Sequence, residues 1–349
     1  MLGGWGQFCL IAAVLLGALP ACESAPLGEP GTTDTVPTHP LSAAGIWSYF
    51  GFEGGQYPAG STQPAPHLAA GIARAQAVAP LDANGAPSAA GRIVLLSIGM
   101  SNTTQEFCNP QPGGQCSAGS FVAQALADPA VRHTGLVLVD GARGGQTAGT
   151  WDAPTDPNYD LVRDTRLAPA GVTERQVQVA WVKVANAGPT MSLPASGADA
   201  YTLVTQLGGI ARALRARYPN LKLVFLSNRT YAGYATSTLN PEPYAYESGF
   251  AVKWVIQAQL SQLATGQLDP RAGDLSYNSV APWLGWGPDL WARGDAPRAD
   301  GLLWNRADFG SDGTHPSASG VQKVGALLLE FFKTSPETRC WFLQSGVCG

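Results

Sequence analysis

Four short segments carry the residue types that nucleophilic catalysis by serine requires. Ser101 follows Gly99 and Met100 at the end of an apolar run, where a turn would expose its hydroxyl. Asp312 and His315 are spaced D-x-x-H in a loop rich in Gly and Ser. Two intervening residues let the carboxylate fold back onto the imidazole Nδ1, which fixes the tautomer and stabilises the imidazolium. The stretch 140–147 holds Gly141, Gly144 and Gly145, and glycine allows a ligand to approach a backbone N–H closely. Asn186 follows another apolar run; it can present its amide to a site, and it is also a common turn former. A serine hydroxyl is scarcely ionised at neutral pH and needs an adjacent base, the base needs an orienter, and a tetrahedral intermediate needs N–H donors. Taken alone, the Ser, Gly and Asn segments read as ordinary turns, and the D-x-x-H loop is the informative one. Together they supply every part. His39, His67 and His133 have no comparable setting.

These segments need strands to hold them. Continuous apolar runs at 92–97, 135–140, 177–184 and 221–226 have the character of parallel strands buried on both faces. Helical patterns fall at 121–127, 199–218, 250–264 and 317–332. In the second of these Leu203, Leu207, Ile210 and Leu214 share a face, and Pro219 ends it. Strands alternating with helices predict a mainly parallel sheet covered on both faces, with functional residues at the carboxyl ends of its strands. Neither G-x-G-x-x-G nor G-K-[ST] follows a strand, so a phosphate-binding loop is not expected.

The order of these blocks resembles the SGNH, or GDSL-type, serine hydrolase superfamily. Gly99-Met100-Ser101 is similar to its first block, with Met100 in place of the customary Asp. Gly145 is similar to the second block, Asn186 to the third, and Asp312 with His315 to the fifth. Gly188 and Asn228 are rivals for the third. The resemblance spans 91–332 and implies a flavodoxin-like three-layer α/β/α sandwich that hydrolyses esters, often acyl groups on carbohydrates or lipids. It also implies roles. Ser101 attacks the carbonyl, His315 is the base and then the acid, and Asp312 orients His315. The N–H groups of Ser101 and Gly145 and the Asn186 side chain hold the oxyanion, and no metal or cofactor is needed. The expected partner is an ester substrate, with an acylated polysaccharide as the favoured example. Acyl transfer would use the same residues.

Four tryptophans, Trp283, Trp286, Trp291 and Trp304, precede the D-x-x-H loop. A core patch is the default reading. Aromatic rings at a cleft also stack on sugars, so Trp283, Trp286, Trp291 and Tyr231 are candidate substrate contacts. They support a competing reading, a non-catalytic carbohydrate-binding envelope protein on the same fold.

The N-terminus carries a twelve-residue apolar run, 8–19, followed by Leu19-Pro20-Ala21-Cys22. The length suits a signal-peptide core rather than a membrane span. Residues 1–22 therefore read as an export signal, either a lipobox with Cys22 as the lipidated residue or a plain secretory signal. Any membrane attachment would run through that lipid. Residues 23–45 read as a tether and 46–349 as one domain. Four further cysteines form two local pairs, Cys108 with Cys116 and Cys340 with Cys348. Each closed loop would stabilise by roughly 2–3 kcal/mol. A zinc site is weaker, since no His stands at ligand spacing. Of 349 residues only 13% are charged, with a net charge of −4 and 42 Gly beside 27 Pro. The basic residues are scattered, so no nucleic-acid footprint is present. The whole reads as an exported enzyme, lipid-anchored in the envelope or secreted, for a largely uncharged substrate.

Overall fold

The computed structural model describes residues 32–349. The signal, the Cys22 lipobox and the first part of the tether lie outside them. In chain order the strands and α-helices are β1 (Thr32–Asp34), β2 (Trp47–Tyr49), β3 (Phe52–Glu53), α1 (Ala65–Gln76), β4 (Ile93–Gly99), α2 (Ser101–Phe107), α3 (Phe121–Ala127), β5 (Leu136–Asp140), α4 (Pro157–Val162), β6 (Val177–Lys183), α5 (Asp199–Arg217), β7 (Leu223–Leu226), α6 (Tyr244–Thr265), β8 (Trp283–Trp286), α7 (Ala318–Thr334) and α8 (Arg339–Phe342).

Five strands form the central sheet in the order β5-β4-β6-β7-β8, every pairing parallel. Numbered within the sheet this is 2-1-3-4-5, the flavodoxin-like order. Successive side chains of a strand point to opposite faces, and both faces are covered. Val94, Leu96 and Ile98 of β4, Val182 of β6 and Leu226 of β7 pack on one side with Leu207 and Leu214 of α5 and Phe250 and Ile256 of α6. Leu95, Trp181, Phe225 and Trp283 point the other way, into a second core with Ala75 of α1, Phe121 of α3, Val324, Leu328 and Phe332 of α7 and Trp341 of α8. The result is the three-layer sandwich expected from the sequence. Cys108 is bonded to Cys116 and Cys340 to Cys348. No helix among the described residues is long and apolar enough to cross a membrane.

Two expectations change. The fifth strand, β8, lies inside the tryptophan-rich stretch, beyond the four strands expected from the apolar runs. Gly285 interrupts its pattern; a Cβ there would run into the Trp283 ring. The tether expected over 23–45 stops short of residue 45. Thr32–Asp34 pairs with Trp47–Tyr49, and Leu41 is fully buried against α6, close enough that a Cβ on Gly249 would meet its side chain. Leu41 and a few other apolar residues scattered among Pro, Ser and Thr leave no periodicity from which such packing can be read.

His67 sits at the sheet's edge, 2% exposed and stacked on Trp283 at 4.6 Å, with neither ring nitrogen hydrogen-bonded. Burial pushes its pKa down to about 4, against a smaller opposing pull from the Leu284 backbone. A folded pKa below the unfolded value of ~6.5 means that acid favours the unfolded chain, so stability is lost as pH falls from about 6.5 through 4. His67→Phe removes that loss. Relative to wild type it should gain about 2 kcal/mol more at pH 5 than at pH 7, read from urea denaturation at each pH. The buried carboxyls of Asp140 and Glu247, raised by burial to about 6 and about 7, slope the opposite way and cancel in the comparison.

Candidate active site

All five strands of the sheet point the same way, so the segments that follow them share one edge. The connection from β4 runs outward to β5 and the next returns to β6 on the other side. This is the switch point at which such sheets hold ligands. Ser101 opens α2 directly after β4. The turn between them requires a glycine, because a Cβ on Gly99 would collide with the Lys183 carbonyl and the Thr103 side chain. Thr103 closes the turn, accepting from the Met100 N–H at 3.2 Å and donating to the Lys183 carbonyl at 2.6 Å.

Ser101 Oγ is 2.8 Å from His315 Nε2, and His315 Nδ1 is 2.5 Å from Asp312 Oδ2. Asp312 also accepts the backbone N–H groups of Thr314 and His315 at 3.0 and 3.1 Å. Burial alone would raise its pKa, but the bond from His315 and the two N–H groups outweigh it and hold Asp312 at about 2. The carboxylate therefore stays ionised through the neutral range and favours the tautomer with a proton on Nδ1, the ring nitrogen that faces it. Nε2 is left to accept from the serine. The loop is held from outside. Arg306 donates to the carbonyls of Phe309, Gly310 and Ser311, and Asn102 Nδ2 donates to the Thr314 carbonyl at 2.8 Å. The last contact ties the helix that carries Ser101 to the loop that carries His315.

Ser101 and His315 open into a cavity of about 350 Å³. Gly145, Asn186 and Gly188 line it as well. Gly145 has φ +75°, and a Cβ on its neighbour Gly144 would lie 3.9 Å from that of Ser101, so the glycine loop runs against Ser101. Asn186 Nδ2 donates to the Asp199 carbonyl at 2.6 Å, which fixes the amide and leaves its second N–H. Asn228, a rival for the third block, is elsewhere; its amide is bonded at both ends, to Asp289 Oδ1 and from the Leu290 N–H. A larger hollow of about 510 Å³, beside Tyr201, Trp254 and Arg271, contains none of Ser101, Asp312 or His315.

The aromatic candidates are not brought to this cavity. Trp283, Trp286 and Trp291 are 1%, 6% and 0% exposed. Their indole N–H groups are bonded inside the protein, to the carbonyls of His67 and Gln56 and to Glu242 Oε1. Trp283 and Trp286 lie three apart on a strand covered on both faces, so they enter opposite cores. Tyr231 packs against Tyr234 and Trp291 and is not among the lining residues. The default reading, a core patch, is the correct one for the three tryptophans.

Several residues that support the site were not singled out in the sequence. Lys183, at the end of β6, places Nζ 2.5 and 2.6 Å from the two oxygens of Glu106 in α2, both side chains being wholly buried. Burial presses each toward its neutral form, and their mutual attraction opposes this. Asp140 accepts from Ser97 Oγ at 2.7 Å and from Thr104 Oγ1, linking β4, β5 and α2. Arg229, after β7, lines the cavity with Met100. A charged residue within or just after an apolar run was the available signal for Lys183 and Arg229.

The sheet order, the two helix layers and the positions of the first and fifth blocks agree with the SGNH/GDSL resemblance. No family model matches the chain, and no curated protein matches it. Among solved structures it is similar to a family two carbohydrate esterase from Clostridium thermocellum, in complex with cellohexaose (17% identity, 71% of this chain and 65% of that one, TM-score 0.38). It is also similar to a structure described as a GDSL-like lipase from Parabacteroides merdae (14%, 68% and 94%, TM-score 0.39) and to an extracellular lipase from Streptomyces rimosus (14%, 70% and 99%, TM-score 0.35).

Proposed function

We propose that this protein is a serine esterase that hydrolyses carboxylic esters, acetylated carbohydrate being the favoured substrate. The observation that carries the reading is the unbroken line from Ser101 Oγ through His315 to Asp312, at 2.8 and 2.5 Å, opening on a cavity. Ser101 attacks the acyl carbon as His315 Nε2 takes its proton. The imidazolium, held by Asp312, then delivers that proton to the leaving alcohol. A water, deprotonated in turn by His315, releases the acid. The Ser101 and Gly145 N–H groups and the free N–H of Asn186 receive the oxyanion. On this reading Asn186→Ala should lower kcat by about 10²–10³-fold with little change in KM, because the donor acts where charge develops in the transition state. Steady-state kinetics on 4-nitrophenyl acetate measure it.

We also infer export. Two local disulfides suit an oxidising compartment, and the apolar run before Cys22 suits a signal. The non-catalytic carbohydrate-binding reading loses its aromatic platform, since its tryptophans are in the core. The purified protein should release acetate from 4-nitrophenyl acetate and from acetylated glycans. Failure on every ester offered would end the esterase reading.

A further inference from the structure

The cavity beside Ser101 has polar walls that the protein leaves unpaired. Four lining residues carry buried side-chain atoms without a hydrogen-bond partner: Asn186 Oδ1, Asn240 Oδ1, Thr314 Oγ1, and both Nε and Nη2 of Arg229. Buried polar groups are satisfied in about nine cases of ten, and orphans grouped around one cavity call for a polar occupant. The first three are neutral, and water would serve them. Arg229 is different. It is 3% exposed, and its charge cannot be shed by deprotonation. Among the described residues the one side-chain hydrogen bond of its guanidinium is to Met100 Sδ, 3.5 Å from Nη1, and a thioether is a weak acceptor.

The nearby carboxylates are engaged elsewhere. Both oxygens of Glu106 are on Lys183. Glu242 accepts from the N–H groups of Ala232 and Tyr246 and from Trp291 Nε1. Among the described residues no carboxylate is within ion-pair distance of Arg229. The residue is nonetheless anchored, its backbone N–H donating to Ser248 Oγ at 3.0 Å. Nε and Nη2 together form one edge of the guanidinium, the edge that grips a planar carboxylate with two parallel bonds. Arg229 is the one Lys or Arg lining the cavity, which suits a single negative charge. Met100, unbranched and adaptable, can yield to the incoming group.

We propose that Arg229 determines specificity at this site by binding a carboxylate carried by the ester substrate. The proposal rests on the esterase reading and deepens it. The expectation of a largely uncharged substrate, drawn from composition, then gives way to a substrate with one acidic group. That group sits on the acyl side, as in a dicarboxylic half-ester, or on the alcohol side, as in an acetylated uronic acid.

Two arms distinguish these sources. The first compares mono-4-nitrophenyl succinate with its methyl ester. The second compares acetylated galacturonic acid with its methyl ester. In one arm the wild-type protein should favour the acid by tenfold or more in kcat/KM. The preference should fall toward unity in Arg229→Met and persist in part in Arg229→Lys. If Arg229→Met does not fold, the wild-type ratio and Arg229→Lys still decide. Turnover of the methyl esters with no preference for the acid in either arm overturns the proposal and leaves the esterase reading standing. A preference that survives unchanged in the Arg229 variants also overturns it. No turnover of any ester overturns the esterase reading itself, and this proposal with it.

Discussion

Replacing Ser101 with alanine is expected to lower kcat on 4-nitrophenyl acetate by on the order of 10⁴–10⁶-fold while leaving the fold intact. The size follows from what is removed. Without Oγ no acyl-enzyme can form, and His315 has no proton to take at 2.8 Å. What remains is solvent attack helped by oxyanion donors and binding. Residues that act as one unit are not additive, so Ser101→Ala/His315→Ala should be no worse than either single variant. Additive losses in that pair would mean that the two side chains act independently, contrary to the reading. Ser101 is at the first turn of α2 and only partly buried, so loss of one hydroxyl should cost little stability. A lowered melting temperature in Ser101→Ala would point to a structural role instead.

The second large effect is on stability. Lys183→Met leaves the Glu106 carboxylate wholly buried without the cation it is bonded to, and breaking a buried pair in this way costs about 3–5 kcal/mol. The loss should be felt at the site as well. Glu106 is in the last turn of α2, and the Lys183 carbonyl accepts from Thr103 in its first turn. The pair therefore clamps α2, the helix that carries Ser101, to β6. Replacing both partners, Lys183→Met with Glu106→Leu, removes the stranded charge, and most of the lost stability should return. Urea denaturation of the two single variants and the double variant measures the coupling. A Lys183→Met variant within 1 kcal/mol of wild type would show that Glu106 is readily neutralised in place.

What could be read in advance was whatever rests on local pattern. The runs 92–97 and 177–184 are apolar because β4 and β6 are buried on both faces, and such runs announce parallel strands. The D-x-x-H spacing announces a local geometry because three residues are enough to fold Asp312 back onto Nδ1. Contacts across long separations leave no such trace. Nothing in the spacing of Glu106 and Lys183, or of Arg229 and Met100, indicates that they meet. Trp283 and Trp286 stayed open between core and cleft for a related reason. A four-residue strand that includes Gly285 has too few side chains to show its period, and a tryptophan on a buried strand looks in sequence like one on a rim. Leu41 was hidden in the same way, since the packing that holds it comes from α6, distant in the chain, and the 32–34 strand is too short to show a period.

The central claim is that Ser101 is an activated nucleophile. Treatment of the purified protein with a fluorophosphonate, followed by intact mass and peptide mapping, tests it without knowledge of the natural substrate. The account predicts one adduct per chain, on the peptide that carries Ser101, and its loss in His315→Ala. No adduct at all, or an adduct on another residue with Ser101 unmodified, would contradict it.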